Sequence, residues 1–151
     1  MSSLSTSNRP DRSSSGLALS RVLLVDDSAE DNFIHRRQLR RHWRNCEVAV
    51  ATNGQEALDL LMARADAGEE PFELMCLDVN MPVMDAWEFL GQYPHLPLEA
   101  HVDHIALMIS TALPAEARSI ADKSPFISFF VSKPFTGERI SAQIENANAK
   151  A

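Results

Sequence analysis

From Arg21 onward the chain alternates short, unbroken apolar runs with longer stretches in which apolar residues recur every three or four positions. The runs Val22–Val25, Glu47–Ala51, Phe72–Leu77, Ile105–Ile109 and Phe126–Val131 predict five strands, and continuous apolarity along a strand means that both its faces are covered. Between them, Ala29–Arg44, Gly54–Ala67, Ala86–Tyr93, Pro114–Asp122 and Gly137–Ala149 predict helices. Cap chemistry marks the helix starts at Ser28, at Asn53 with Glu56 three residues on, at Pro114 and at Thr136. In the second helix Ala57, Leu58, Leu61, Met62 and Ala65 form one stripe, with Gln55, Glu56, Asp59 and Asp66 opposite, as expected of a helix lying on a sheet. Alternating strands and helices predict an α/β fold around a parallel sheet. The connection Pro94–Asp103, with two prolines and two histidines, is longer than such units usually need.

Composition narrows the picture. Residues 1–20 contain eight serines and no periodic apolar pattern, which predicts a flexible tail ahead of one domain over 21–151. The tail has neither the apolar core of a secretory signal nor the arginine stripe of a transit peptide. Lys plus Arg number 14 against 21 Asp plus Glu, a net charge of −7, which argues against a dedicated nucleic-acid binder. Apolar runs stay near strand length, far below the roughly 20 residues of a membrane span. Cys46 and Cys76 sit in or beside apolar runs without metal-ligand spacing, so they read as buried thiols in a reducing, cytoplasmic setting.

The chemistry gathers at strand ends. Asp26 and Asp27 directly follow the first run, Asp78 the third, Ser110 the fourth, and Lys133 stands just after the fifth. In an open α/β sheet this carboxyl edge is where ligands bind. Carboxylates converging there repel one another, and a hard divalent ion such as Mg²⁺, held by oxygens alone, resolves the conflict. The Lys133 ammonium can reach across the same edge to a carboxylate or phosphoryl group.

The segments VLLVDDSAEDN, MCLDVNMPVMDAWEFL, MISTALPAEAR and FFVSKPF resemble the receiver domain of two-component response regulators, and the likeness covers about residues 21–149. The resemblance implies a flavodoxin-like doubly wound sheet of order 2-1-3-4-5 with helices on both faces. It implies that Asp78 accepts a phosphoryl group from a phosphohistidine on a sensor histidine kinase or histidine phosphotransfer protein. Asp26, Asp27, Asp78 and the backbone carbonyl of Asn80 would hold Mg²⁺. Lys133, Ser110 and Thr111 would contact the phosphoryl group, Ser110 and Phe130 would switch, and the Lys133–Pro134 bond would be cis. In that strand order Cys46 and Cys76 stand roughly 9 to 10 Å apart, too far for a disulfide.

Two positions depart from the family. Ala86 stands where glycine is usual after the acid, so the turn before the third helix must avoid a glycine-only conformation. Phe130 lacks the hydroxyl that many relatives carry, which leaves packing as the basis of any switch there.

Arg36, Arg37, Arg40, Arg41 and Arg44 share one arc of the first helix around Phe33, five of the 14 basic residues; a solvated face is the default for such an arc, docking of an acidic phosphodonor bundle is the functional expectation, and nucleic-acid binding is the lesser competing use. The expectation is therefore a stand-alone receiver whose only catalysis is phosphoryl transfer to itself and autodephosphorylation, its downstream protein unknown. Two other classes stay open: a receiver-shaped binding module that is never phosphorylated, and an aspartyl-nucleophile phosphohydrolase. The second is disfavoured because Asn80 stands where such hydrolases place a second Asp.

Overall fold

Five parallel strands lie side by side in the order β2-β1-β3-β4-β5, as the resemblance implied. The computed structural model describes residues 17–110 and 114–150. In chain order these are β1 (Arg21–Val25), α1 (Ala29–His42), β2 (Glu47–Ala51), α2 (Gly54–Asp66), β3 (Leu74–Asp78), α3 (Ala86–Gln92), β4 (His104–Ile109), α4 (Ala115–Lys123), β5 (Phe129–Ser132) and α5 (Gly137–Ala149).

Alternate residues of each strand face opposite sides, and the two cores follow from that alternation. Leu23, Val25, Met75, Leu77, Ile105 and Leu107 pack with α2 and α3 through Ala57, Leu61 and Phe89. Val22, Leu24, Leu74, Cys76, Ala106 and Met108 pack with Leu39 of α1 and with Ile140 and Ile144 of α5. The paired register Leu24↔Cys76 and Asp78↔Met108 levels the strand ends, so residues following β1, β3, β4 and β5 emerge along one edge.

The caps form as their chemistry suggests. Ser28 accepts from the Asp31 amide, Asn53 from Glu56 and Thr136 from Arg139. Asp85 and Glu88 form a reciprocal capping box at α3, whereas Pro114 gives α4 no side-chain cap. Ala86 is the first residue of α3 and fully buried, and the left-handed backbone of this loop falls instead on Val83 at φ 68°.

Several boundaries differ from the pattern reading. Residues 17–20, counted with the tail, lie against the sheet: Leu19 is buried, and the Ser20 carbonyl accepts from the Glu47 amide. Residues 1–16 lie outside the described part. β3 starts at Leu74, although Phe72 is buried in the core before it. β5 starts at Phe129 rather than Phe126, because the Ser128 hydroxyl takes the Ile105 amide at the strand's foot, while the Phe126 ring packs on Tyr93 and His101. α1 stops at His42, where Trp43 turns extended. The long connection 94–103 carries short 3-10 turns at Tyr93–His95 and Leu98–Ala100, and Tyr93 accepts the Val102 amide at 2.8 Å.

Cys46 and Cys76 are buried free thiols. Burial pushes the Cys46 thiol up to about 12 and raises that of Cys76 further. No helix among the described residues is long and apolar enough to cross a membrane.

Candidate functional site

At the carboxyl edge, β1 delivers Asp26 and Asp27, β3 ends on Asp78, and the chain leaving β5 delivers Lys133. The carboxylates of Asp26, Asp27 and Asp78 offer oxygens that all lie within 4.8 Å of one another. Asp26 and Asp78 are buried and Asp27 is exposed, so the cluster opens to solvent on one side. Burial, then the neighbouring Asp26 charge, raises the pKa of Asp78, against the opposing pull of Lys133. Crowded carboxylate oxygens are the donor type a hard divalent cation takes, and this group could hold a metal ion.

Lys133 sits among three carboxylates. Its Nζ lies 3.0 Å from Asp26 Oδ2, 2.9 Å from Asp31 Oδ2 and 3.1 Å from Asp78 Oδ1. Burial works against the ammonium, but hydrogen bonds to Asp31, Asp26 and Asp78 outweigh it and hold its pKa above the ordinary lysine value. The Lys133–Pro134 peptide is cis.

The other expected residues are placed differently from one another. Asn80 is exposed two residues beyond Asp78, and Ser110 is exposed at the end of β4. Thr111 lies outside the described residues. Phe130 is half-buried on β5, with the Arg118 guanidinium 4.4 Å from its ring centroid. Beneath it a groove of about 450 Å³ runs between α4, β5 and α5, away from the carboxylates.

On α1, Phe33 is 61% exposed and Arg37 lies over its ring at 5.8 Å. Arg36 and Arg40 reach sideways instead and donate to the carbonyls of Val48 and Cys46. Two arginines of the arc are thus partly fastened to the backbone at and just before β2, and its exposed crest includes Phe33 and Arg37.

Sequence reasoning missed Asp31, whose carboxyl the Lys133 hydrogen bond holds below the usual carboxylate range. It also missed two buried polar residues of α1. Asn32 donates to the Asp26 carbonyl at 2.8 Å, and His35 stacks on the Phe135 ring at 4.1 Å. The available signal was Asn32, His35 and Leu39 falling at helical spacing on the buried side of α1.

A parallel doubly wound sheet with an acidic cluster and a lysine at its carboxyl edge defines an α/β protein that handles a ligand at that edge. The comparisons make it specific: the response regulator receiver domain model matches residues 22–145, and the chain belongs to that family. Receivers are signalling modules that take phosphoryl groups from histidine kinases. The chain is similar to a probable cyclic di-GMP phosphodiesterase of Vibrio cholerae, 26% identical over 85% of this chain but 27% of that protein. It is also similar to an uncharacterised 14.6 kDa protein of Leptolyngbya boryana, 33% identical over 78% of this chain and 82% of that one. The chain thus spans about a quarter or less of the first curated relatives it matches. Among solved structures, a two-component response regulator from Cytophaga hutchinsonii shares the fold at TM-score 0.75 and 24% identity, covering 88% of this chain and 99% of that one. The chemotaxis response regulator CheY4 of Vibrio cholerae matches at TM-score 0.59 and 26% identity, over 86% and 99% of the two chains.

Proposed function

We propose that this receiver takes a phosphoryl group onto Asp78 from the phosphohistidine of a sensor histidine kinase or histidine phosphotransfer protein, and signals through phosphorylation-dependent protein interaction or relay. The observation that carries this reading is the Lys133 ammonium 3.1 Å from Asp78 Oδ1, beside carboxylate oxygens gathered within 4.8 Å. An Asp78 oxygen attacks phosphorus in line. The O–P bond forms as the donor's N–P bond breaks, and the imidazole leaves with the electron pair. Lys133 turns an N–H toward the phosphoryl oxygens and offsets the charge they carry. Later attack of water on phosphorus releases inorganic phosphate and restores the carboxylate, so the chain's catalysis acts on itself.

Asp26, Asp27, Asp78 and the Asn80 carbonyl are the groups that would hold Mg²⁺, which when bound supplies further neutralisation of the transferring group. Ser110 and Thr111 would meet the phosphoryl oxygens, and the Phe130 ring would repack with them. The exposed crest of α1, Phe33 and Arg37 with Arg36 and Arg40 beside it, is the face for the phosphodonor.

Incubation with Mg²⁺ and acetyl phosphate tests the reading by intact mass. A gain of one phosphoryl group is expected, absent in Asp78→Asn and absent when the metal is chelated. No gain in the unmodified protein, or an equal gain in Asp78→Asn, overturns it.

A further inference from the structure

The polar stripe of α1 meets the chain that follows Lys133 at regular intervals. Asp31 Oδ2 accepts from Lys133 Nζ at 2.9 Å. One turn on, His35 Nε2 accepts the Phe135 amide at 3.4 Å, while its ring lies flat on the Phe135 ring at an interplanar angle of 9°. The next turn brings Gln38 Oε1 to the Gly137 amide at 3.3 Å. Beyond it, a Cβ built on Gly137 would lie 2.5 Å from His42 Cβ and 2.9 Å from the Gln38 carbonyl oxygen, so only glycine allows α5 to start this close to α1. Residues 31, 35, 38 and 42 share one side of a helix, and they read every second residue of 133–137. All three hydrogen bonds run the same way, with donors on 133, 135 and 137 and acceptors on α1.

We infer that this acceptor ladder positions Lys133: Asp31 is the ammonium's dedicated anchor, and His35 and Gln38 hold the backbone that carries it. The inference rests on the phosphoacceptor reading of Asp78. Asp26 and Asp78 serve two masters, because both belong to the clustered carboxylates and both bond Lys133. Asp31 bonds Lys133 and lies outside that cluster. A cation drawn to the cluster competes with Lys133 for oxygens of Asp26 and Asp78, and the Asp31 oxygens remain with the ammonium. Asp31 would then keep hold of the ammonium beside Asp78. His35 takes its place in the ladder as the neutral ring protonated on Nδ1, since Nε2 accepts from Phe135; that Nδ1 is buried and has no partner among the described residues. Asp31, His35 and Gln38 are positioning residues: none of the three bonds Asp78 among the described contacts, and Gln38 lies about 10 Å along the helix from Asp31.

The test needs a readout that does not depend on phosphorylation. The protons of a lysine ammonium held in hydrogen bonds exchange slowly enough to be seen by nitrogen-edited NMR, and loss of one signal in Lys133→Ala assigns it. Asp31→Ala should abolish that protected signal and slow modification by acetyl phosphate roughly tenfold, within the roughly 100-fold that a 1 Å misplacement of a reacting group can cost. Gln38→Ala, which touches no carboxylate, should shift the signal and slow modification about twofold. Glu30→Ala removes a neighbouring first-turn acid that is not among the described partners of Lys133, and should leave both readouts unchanged. A Lys133 signal unmoved in Asp31→Ala or in Gln38→Ala, or lost equally in Glu30→Ala, overturns the ladder. Failure of the unmodified protein to react with acetyl phosphate would overturn the phosphoacceptor reading instead, and the Lys133 signal would still decide the ladder.

Discussion

The two helices that flank the ends of the site are built to opposite specifications. α1 buries Asn32, His35 and Leu39, is capped by Ser28, and bonds the chain leaving β5 through three side chains. α4 has nine residues, no side-chain cap, and Ala121 as its described core residue. Its notable cross-element contact is an exposed one, Arg118 over the Phe130 ring. Among the described residues, the lysine side of the edge is held by buried hydrogen bonds and close backbone approach, whereas α4 contributes the buried Ala121 and the packing of Arg118 on Phe130. A response to a new charge on Asp78 should therefore appear on the α4 side, with α1 as the fixed reference.

The largest expected effect breaks the fixed side directly. Gly137→Ala places a methyl against the Gln38 carbonyl and His42, and should cost about 1–3 kcal/mol of stability by overpacking. Gly91→Ala on α3 meets nothing within 4 Å and should be neutral or stabilising by up to about 1 kcal/mol. Urea denaturation of the pair checks this, and equal losses would mean that the α1–α5 approach has no special tightness.

A smaller effect sharpens the comparison through pH. Burial depresses the His35 pKa, with the Lys133 charge acting the same way and the Asp31 and Asp26 charges opposing. A depressed folded value means that the unfolded chain binds the extra proton first. His35 should therefore contribute its full stability above about pH 6.5, its unfolded value, and lose it as pH falls through the lower folded value. Thermal melts across that window should show a steeper acid loss in the natural chain than in His35→Gln. Identical slopes would remove His35 from the fixed side.

The smallest effect lies on α4. A cation–π contact at an exposed site contributes about 0.5–1 kcal/mol, so Arg118→Ala should leave the melting temperature nearly unchanged. It should free the Phe130 ring, visible as altered ring resonances by NMR. If those resonances stay put, α4 is more firmly seated than its contacts indicate.

The sheet and the acidic edge were legible in the sequence because each leaves a local mark: unbroken apolar runs, and charge at the residue where a run stops. Asp26, Asp27, Asp78 and Lys133 could be placed together for that reason. The ladder left no such mark. Asp31, Gln38 and His42 look like an ordinary solvated helix face, and their partners stand about 100 residues further on, where no periodicity links them. Leu17 and Leu19 were masked by the serines around them, and Phe126 and Ile127 passed for strand because apolarity alone does not distinguish a sheet from a rim of packed rings.

Helix α1 has one more hold on the molecule. At its far end the Trp43 indole N–H donates to the Leu17 carbonyl at 3.0 Å, with the ring buried. The helix from Asp31 to His42 is about 16 Å long. Leu17, where the described chain begins, is thus tied to the far end of the helix whose first turn holds the ammonium.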